Sequence, residues 1–473
     1  MAYAYYDRLT ALDLSFLRYE EQDPSVHMHV GVVALFERGP LAVADKGVDI
    51  DRIRLAVEST LGESPRFRQK LVRVPRFDQP VWVDDPRFNL EYHVRHTALP
   101  HPGSLRQLKR LAGRIFSQKL DRSKPLWEFW FVEGLEDGRF ALIAKAHHCM
   151  VDGLSGLDLL ARMLRLEPDP TTPPPNRWFP RPAPSGARLL ADELWRRASY
   201  PLALMRDATG SLTRPAEWVT RLRERALSLE ELVASGMRPT SPTPLNPEIG
   251  PYRRFDWTRT DGAAAREVRK HFGGTLNDMV LATAAGAIGR FLSLRGIPLD
   301  DLVFRAQVPV STRAADDDGA GNRVVMLLAD LPIAETDPVT RLKEVSATMT
   351  RLKRSRQRAG VEFLEDLSDH TLPSLWIDFA RLATRQRSYN VVITNIPGPP
   401  RPVYLLGARM LHIYPLVPLA ANQAVGIALF SYQGDLDWGF HADWDAVPDL
   451  HDLVSAVDEE FERLHKLTAE PAA

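Results

Sequence analysis

Between Glu167 and Pro175 the chain reads Glu-Pro-Asp-Pro-Thr-Thr-Pro-Pro-Pro. Each proline fixes φ and removes a backbone donor, so neither a helix nor a central strand can run through this stretch. The chain is therefore divided here, and each side must build its own core. At 473 residues it also exceeds what one ordinary core accommodates, and two domains of roughly 200 residues are expected. We place them at residues 1–167 and 248–473, with 168–247 as a Pro-rich linker carrying an amphipathic helix.

Both flanks mix strand and helix patterns, which gives an α/β fold class. Val26, Met28, Val30 and Val32 alternate with His27, His29 and Gly31, a period-two strand signal. Phe140 to Ala146 reads as a buried strand, and Ser155 to Leu166 as a helix with Leu157, Leu160 and Leu164 on one face. In the linker, Arg188 to Arg206 sets Leu189, Leu190, Leu194 and Trp195 against Arg188, Arg196 and Arg197. The second flank predicts a helix over Leu276–Arg295, a strand over Leu302–Val310 and a helix over Val339–Arg356. A strand over Asn390–Thr394 and a terminal helix over Leu450–Leu467 follow.

Composition excludes several partners. The formal net charge of −1 gives no global attraction for nucleic acid. Cys149 is the one cysteine, which rules out an intramolecular disulfide and a cysteine-based zinc site and suits a reducing compartment. The N-terminal residues lack a basic segment followed by an apolar one, so no secretory signal is expected and the chain reads as cytoplasmic. From Met410 to Gly434 there is no Lys, Arg, Asp or Glu. Two prolines and a glycine break that stretch, so two buried strands are expected rather than a membrane span.

Chemistry concentrates in His147-His148-Cys149-Met150-Val151-Asp152-Gly153, where a buried strand ends and a helix is due. Strand ends in α/β layers are a common place for reactive side chains. Histidine can take a proton from a hydroxyl near neutrality and return it to a leaving group. A carboxylate four residues on can fix the loop, and Gly153 lets the backbone turn sharply. Cys149 as a nucleophile needs an adjacent base, and strand alternation turns it away from His148. A metal set of His27, His29, His147, His148 and Asp152 is chemically conceivable, since histidines two apart share a strand face.

His148-x-x-x-Asp152-Gly153 resembles the signature of the chloramphenicol acetyltransferase-like superfamily, and the doubled histidine resembles its wax ester synthase/diacylglycerol acyltransferase family. Further blocks match in order: Leu12 to Leu17, Met28 to Gly31, Pro125 to Glu128, Asn277 to Ala282, Pro309 to Arg313 with Gly321 to Arg323, and Thr394 to Pro399. Met279 stands where a β-branched residue is usual, and Thr394 where serine is commoner. The resemblance implies two stacked chloramphenicol acetyltransferase-like domains with mixed β-sheets and a tunnel between them. It implies an O-acyltransferase that moves a long-chain acyl group from acyl-CoA to diacylglycerol or a long-chain alcohol. No metal and no cofactor beyond the co-substrate acyl-CoA are implied.

The resemblance also assigns roles. His148 is the catalytic base, with His147 either assisting directly or supporting it. Asp152 acts as a proton relay or, more in keeping with the superfamily, pairs structurally with an arginine, for which Arg313 is the candidate. Gly153, Asn277, Thr394 and Asn395 face substrate, the last two as oxyanion donors, and Trp127 is structural. By their charge run alone, Arg351, Lys353, Arg354 and Arg356 read as a solvated helix face, with contact to CoA phosphates as the alternative. Such an enzyme works peripherally at a membrane or lipid-droplet surface, on the cytoplasmic side of the inner membrane. The alternatives are a condensation-type acyltransferase with a carrier-protein-bound donor, and a non-catalytic lipid-surface binding protein.

Overall fold

The computed structural model describes residues 6–43, 47–77, 79–150, 158–174, 177–211, 238–311, 324–354 and 388–469. Its first large sheet is seven-stranded, in the order β5-β6-β7-β2-β14-β13-β8. The strands are β2 (His29–Glu37), β5 (Val94–Ala98), β6 (Trp127–Glu133), β7 (Arg139–His147), β8 (Leu164–Arg165), β13 (Tyr404–Leu405) and β14 (Ala408–Leu416). The second is six-stranded, β11-β10-β12-β15-β16-β9. It uses β9 (Arg253–Thr260), β10 (Arg305–Ser311), β11 (Val324–Asp330), β12 (Val391–Pro397), β15 (Val425–Tyr432) and β16 (Asp435–Asp443). A small three-stranded sheet of β1 (Asp7–Arg8), β4 (Pro80–Asp84) and β3 (Gln69–Arg73) lies apart. Both large sheets are mixed: β5–β6, β10–β12 and β12–β15 run parallel, while β2–β7 and β2–β14 are antiparallel.

The sheets do not separate at a single point in the chain. β14 comes from the C-terminal part yet pairs with β2 from Met410↔Phe36 to Leu416↔Gly31. Its far side meets the second sheet, where Ile413 N–H donates to Asp437 Oδ2 at 2.8 Å and Tyr432 Oη donates to the Met410 carbonyl at 2.9 Å. Gly439 makes this crossing feasible, because a Cβ there would lie 1.8 Å from the Pro415 carbonyl oxygen. The uncharged stretch from Met410 to Gly434 thus forms buried strands, as its breakers predict. Among the described residues no helix is long and apolar enough to cross a membrane.

Helices cover the outer faces. Leu276–Leu294 opens with a reciprocal capping box in which Thr275 and Asp278 exchange backbone and side-chain bonds, an arrangement worth about 1 kcal/mol. It packs against Pro338–Arg354 and Leu450–Lys466. Arg341 and Glu460, each 3% exposed, pair between the last two helices. Arg341 also donates to the Ala282 carbonyl at 3.0 Å.

Three expected elements differ. The strand at Val26–Val32 begins at His29 and runs on to Glu37, with both faces buried, so the alternation marks no solvent side. The helix expected to reach Leu166 stops at Met163, because Leu164–Arg165 pairs with β13 instead. Tertiary pairing outweighs the helical spacing of the leucines there. The linker helix is longer than expected, Gly186–Ser211, and runs through Pro201. The Pro-rich stretch is held on the first lobe, where Arg52 donates to the Pro170 carbonyl at 2.6 Å and to Thr172 Oγ1 at 3.2 Å.

Candidate active site

His147 is the last residue of β7, and His148 opens a single 3₁₀ turn, His148–Met150. The strand end is pinned from both sides. His147 N–H donates to the Leu126 carbonyl at 2.9 Å, and His148 N–H donates to the Met28 carbonyl at 2.7 Å. This gives the Pro125-Leu126-Trp127 block a physical purpose. Trp127 is fully buried, its indole N–H donates to the Phe67 carbonyl at 2.7 Å, and its ring stacks on His93 with centroids 4.7 Å apart. It anchors the strand start next to the histidine pair.

The two rings sit in different environments. His147 Nδ1 accepts the Cys149 N–H at 3.1 Å. Its ring proton is therefore on Nε2, which lies 3.2 Å from Glu20 Oε2. Burial lowers the His147 pKa, with Glu20 opposing the shift. The His148 ring rests against Phe16, centroids 4.0 Å apart, and its Nδ1 is buried without a hydrogen-bond partner. Burial lowers its pKa to about 4, and the neighbouring His147 adds to the shift. At neutral pH it is therefore an uncharged imidazole, with one ring nitrogen unprotonated. A general base requires that state.

Glu20 is the residue that the sequence motifs did not reveal. It lies in the last turn of the helix Ala11–Gln22, accepts the Met28 N–H at 3.0 Å and is paired with Arg122 at 3.2 Å. Burial alone would raise its pKa. The bond to His147, the pull of the His147 and His29 rings on its ionised form, and the Met28 N–H win, and hold the carboxyl well below its usual range. Met28 thus gives its N–H to Glu20 and its carbonyl to His148, so one carboxylate braces both histidines. The usable signal was periodicity: Asp13, Leu14, Leu17 and Glu20 form one buried helix face, while Glu21 turns outward.

The polar cluster continues away from the histidine pair. His29 lies opposite His147 in register, and His27 is its ring neighbour, with centroids 5.8 Å apart. Arg253, on β9 of the other lobe, is fully buried. It donates to the carbonyls of Ser25 and Tyr252 and lies 3.6 Å from Asp443. Burial, then the Arg253 charge, lowers His27 to about 4 and His441 to about 3. Alternation with Phe255 and Trp257 was the sequence signal for the inward-facing Arg253. Among the described residues no three His, Cys, Asp or Glu side chains are grouped to hold a metal ion. Cys149 is buried and its thiol pKa is pushed well up by that burial, which disfavours the thiolate a nucleophile needs.

The remaining candidates lie in the second lobe or outside the described residues. Thr394 and Asn395 sit on β12, opposite Ala428 and Leu429. Their neighbour Ile396 packs against the core that holds Cys149 and Met150. Asn395 Oδ1 is buried without a partner. Asn277 occupies the first turn of the helix Leu276–Leu294, beside the capping Asp278. No hydrogen bond joins any of these three to His148 among the described residues. Asp152, Gly153 and Arg313, and with them the expected Asp152–Arg313 ion pair, fall outside the described residues.

Comparison with known proteins decides the family. The wax ester synthase/diacylglycerol acyltransferase catalytic domain matches residues 9–280, and the C-terminal domain of the same enzymes matches residues 320–465. The chain belongs to the wax ester synthase/diacylglycerol acyltransferase family. A Mycobacterium tuberculosis H37Rv protein named as a diacylglycerol O-acyltransferase is 32% identical over 476 residues, spanning 97% of this chain and 96% of its own. A second from that strain is 31% identical over 468 residues, spanning 97% and 90%. The solved wax ester synthase/diacylglycerol acyltransferase of Marinobacter aquaeolei VT8 superposes with a TM-score of 0.70 at 26% identity, over 98% of this chain and all of that one. The first condensation domain of the calcium-dependent antibiotic synthetase gives 0.59 at 17% identity, over 99% and 97%, a likeness of fold. This wax ester synthase/diacylglycerol acyltransferase homologue is an O-acyltransferase of the triacylglycerol and wax ester class, built on the two-domain chloramphenicol acetyltransferase-like fold.

Proposed function

We propose that the chain transfers a long-chain acyl group from acyl-CoA to the hydroxyl of diacylglycerol, a long-chain alcohol, or both, with His148 as general base. The observation that carries this reading is the His148 ring, set at the end of β7 by its backbone bond to the Met28 carbonyl, packed on Phe16 and kept neutral by burial. His148 takes the hydroxyl proton as the alcohol oxygen bonds to the thioester carbonyl carbon. The resulting oxyanion needs donors fixed in advance. Thr394 and the amide of Asn395 supply them. The C–S bond then breaks, and the CoA thiolate takes the proton back from His148. Acyl-CoA is consumed as co-substrate, and no separate cofactor takes part.

Gly153 and Asn277 line the substrate path between the lobes in this reading, and an Asp152–Arg313 ion pair holds the loop after the histidines. His147 supports His148 rather than replacing it. The enzyme works peripherally, at the cytoplasmic membrane face or a lipid droplet, where its acceptors reside. The helix Gly186–Ser211 is the docking element, since Leu194 and Trp195 are exposed on it beside Arg196 and Arg197.

Labelled palmitoyl-CoA offered with diacylglycerol and with hexadecanol tests the reading. His148→Ala lowers kcat by at least about a hundredfold with the circular dichroism unchanged. A variant turning over at the wild-type rate refutes the assignment of the base.

A further inference from the structure

The helix Pro338–Arg354 forms one wall of a cavity of about 740 Å³, far along the chain from the histidine pair. Lys343, Arg351 and Arg354 line that wall. The spacing puts Lys343 in line with Thr350 and Arg351, and Arg354 one turn further on. All three cations are exposed, and among the described residues none of them makes an ion pair or hydrogen bond. Arg351 and Arg354, three positions apart, repel each other with no counter-charge between them. A concave site that gathers unneutralised cations concentrates anions.

The opposite wall is the turn between the helices Gly262–Phe272 and Leu276–Leu294, formed by Phe272, Gly273 and Gly274. Both glycines have positive φ, 76° and 78°, and nothing lies within 4 Å of a Cβ built on Gly273. The backbone there is bare and open to a ligand. Ser346 and Thr350 add hydroxyls, while Phe272, Leu342 and Ala347 supply apolar surface. The Asp278 carboxylate lies buried behind Gly274. It accepts the Thr275 N–H at 2.9 Å and the Ser346 hydroxyl at 3.2 Å, so it is engaged with the capping turn rather than with the three cations.

Cations, hydroxyls and apolar side chains in a volume of this size suit a ligand that joins several phosphates to an aromatic ring system. We infer that this cavity binds the phosphorylated nucleotide end of the acyl-CoA donor, with Lys343, Arg351 and Arg354 on its phosphates. This rests on the acyl-CoA reading above, and it assigns a binding site to residues remote in sequence from the catalytic motif.

The test uses the full chain and the triple variant K343A/R351A/R354A, with Arg351→Gln alone as a milder form should the triple variant fold poorly. Calorimetry with free CoA and with adenosine 3′,5′-bisphosphate should show roughly tenfold or greater loss of affinity. The KM for palmitoyl-CoA should rise by a similar factor at unchanged kcat, whereas the KM for palmitoyl-pantetheine, which lacks the nucleotide, should stay the same. Unchanged CoA affinity, or an equal KM rise for both donors, overturns the inference. Loss of binding to phosphatidylglycerol vesicles with CoA affinity intact also overturns it and makes the patch a lipid contact. If the wild-type chain binds CoA through these residues yet transfers no acyl group, the site stands and the acyltransfer reading fails.

Discussion

Glu20 Oε2 and His147 Nε2 lie 3.2 Å apart, and neither side chain is more than 3% exposed. A buried carboxylate in this position sets the tautomer of His147 and, through Met28, the backbone on which His148 is hung. The two histidines thereby sit in different surroundings, His147 beside a carboxylate and His148 against the Phe16 ring. Glu20→Gln keeps an acceptor for the Met28 N–H and should retain most activity. Glu20→Ala leaves the Met28 N–H without its partner, while Arg122 keeps Glu21 and the Leu17 carbonyl, at a cost of roughly 1–3 kcal/mol readable in urea unfolding. Its kcat should fall about tenfold with the acyl-CoA KM little changed, as expected when a base is misplaced rather than removed. His147→Ala should likewise cost less than His148→Ala. The opposite order in single-turnover rates would mean that the base is His147.

The buried histidines make acid the weak point of the molecule. His27, His93 and His148 titrate at about 4 and His441 at about 3, in each case mainly because burial penalises the charged ring. The unfolded chain binds these protons near pH 6.5. Between about pH 6.5 and 4 it therefore holds more protons than the folded chain, and stability falls as pH falls, by up to about 1.4 kcal/mol per pH unit for each such ring. The urea midpoint should drop steadily from pH 7 to pH 5. Activity follows a different limb, because His148 loses its base function only on protonation near pH 4. Initial rates of kcat/KM should thus stay flat through pH 6.5 and decline lower down. A midpoint independent of pH over this range would show that the rings are not buried as described.

The linker helix divides its residues between the protein and the solvent. Leu189 joins the core of Tyr6, Val74, Val81 and Val83. Glu193 is fully buried and gathers Arg8, Arg196 and Arg197. By contrast Leu194 is 52% exposed, Trp195 73% and Phe179, just upstream, 82%. A helix anchored by one face and apolar on the other fits an interface. Replacing Leu194 and Trp195 with serine should leave thermal unfolding unchanged and release the enzyme from vesicles in a flotation assay. Retention of the double variant on vesicles would move the docking surface elsewhere. Unfolding would show that the two side chains belong to a core.

The motif around His148, the strand before it and the elements Leu276–Leu294, Val391–Pro397 and Leu450–Lys466 were legible because each rests on local pattern: apolar runs, caps and breakers. What escaped was set by partners distant in the chain. Leu164 keeps helical spacing in the sequence, but β13, from the other end of the chain, draws it into a strand. Glu20 and Arg253 belong to no motif, and only the periodicity of their apolar neighbours marks them as inward-facing. Phe16 was matched as part of a block, while its contact with the His148 ring needed the three-dimensional arrangement.

The crossing of β14 has a bearing on how the chain is made. Gly31 waits for Leu416, so during synthesis β2 presents an unpaired edge until β14 has left the ribosome. At roughly 5–20 residues per second that interval lasts on the order of tens of seconds. The portion that bears the histidines cannot finish its own sheet in that time, and a fragment ending near residue 280 never could. An open edge of that kind invites pairing with other chains.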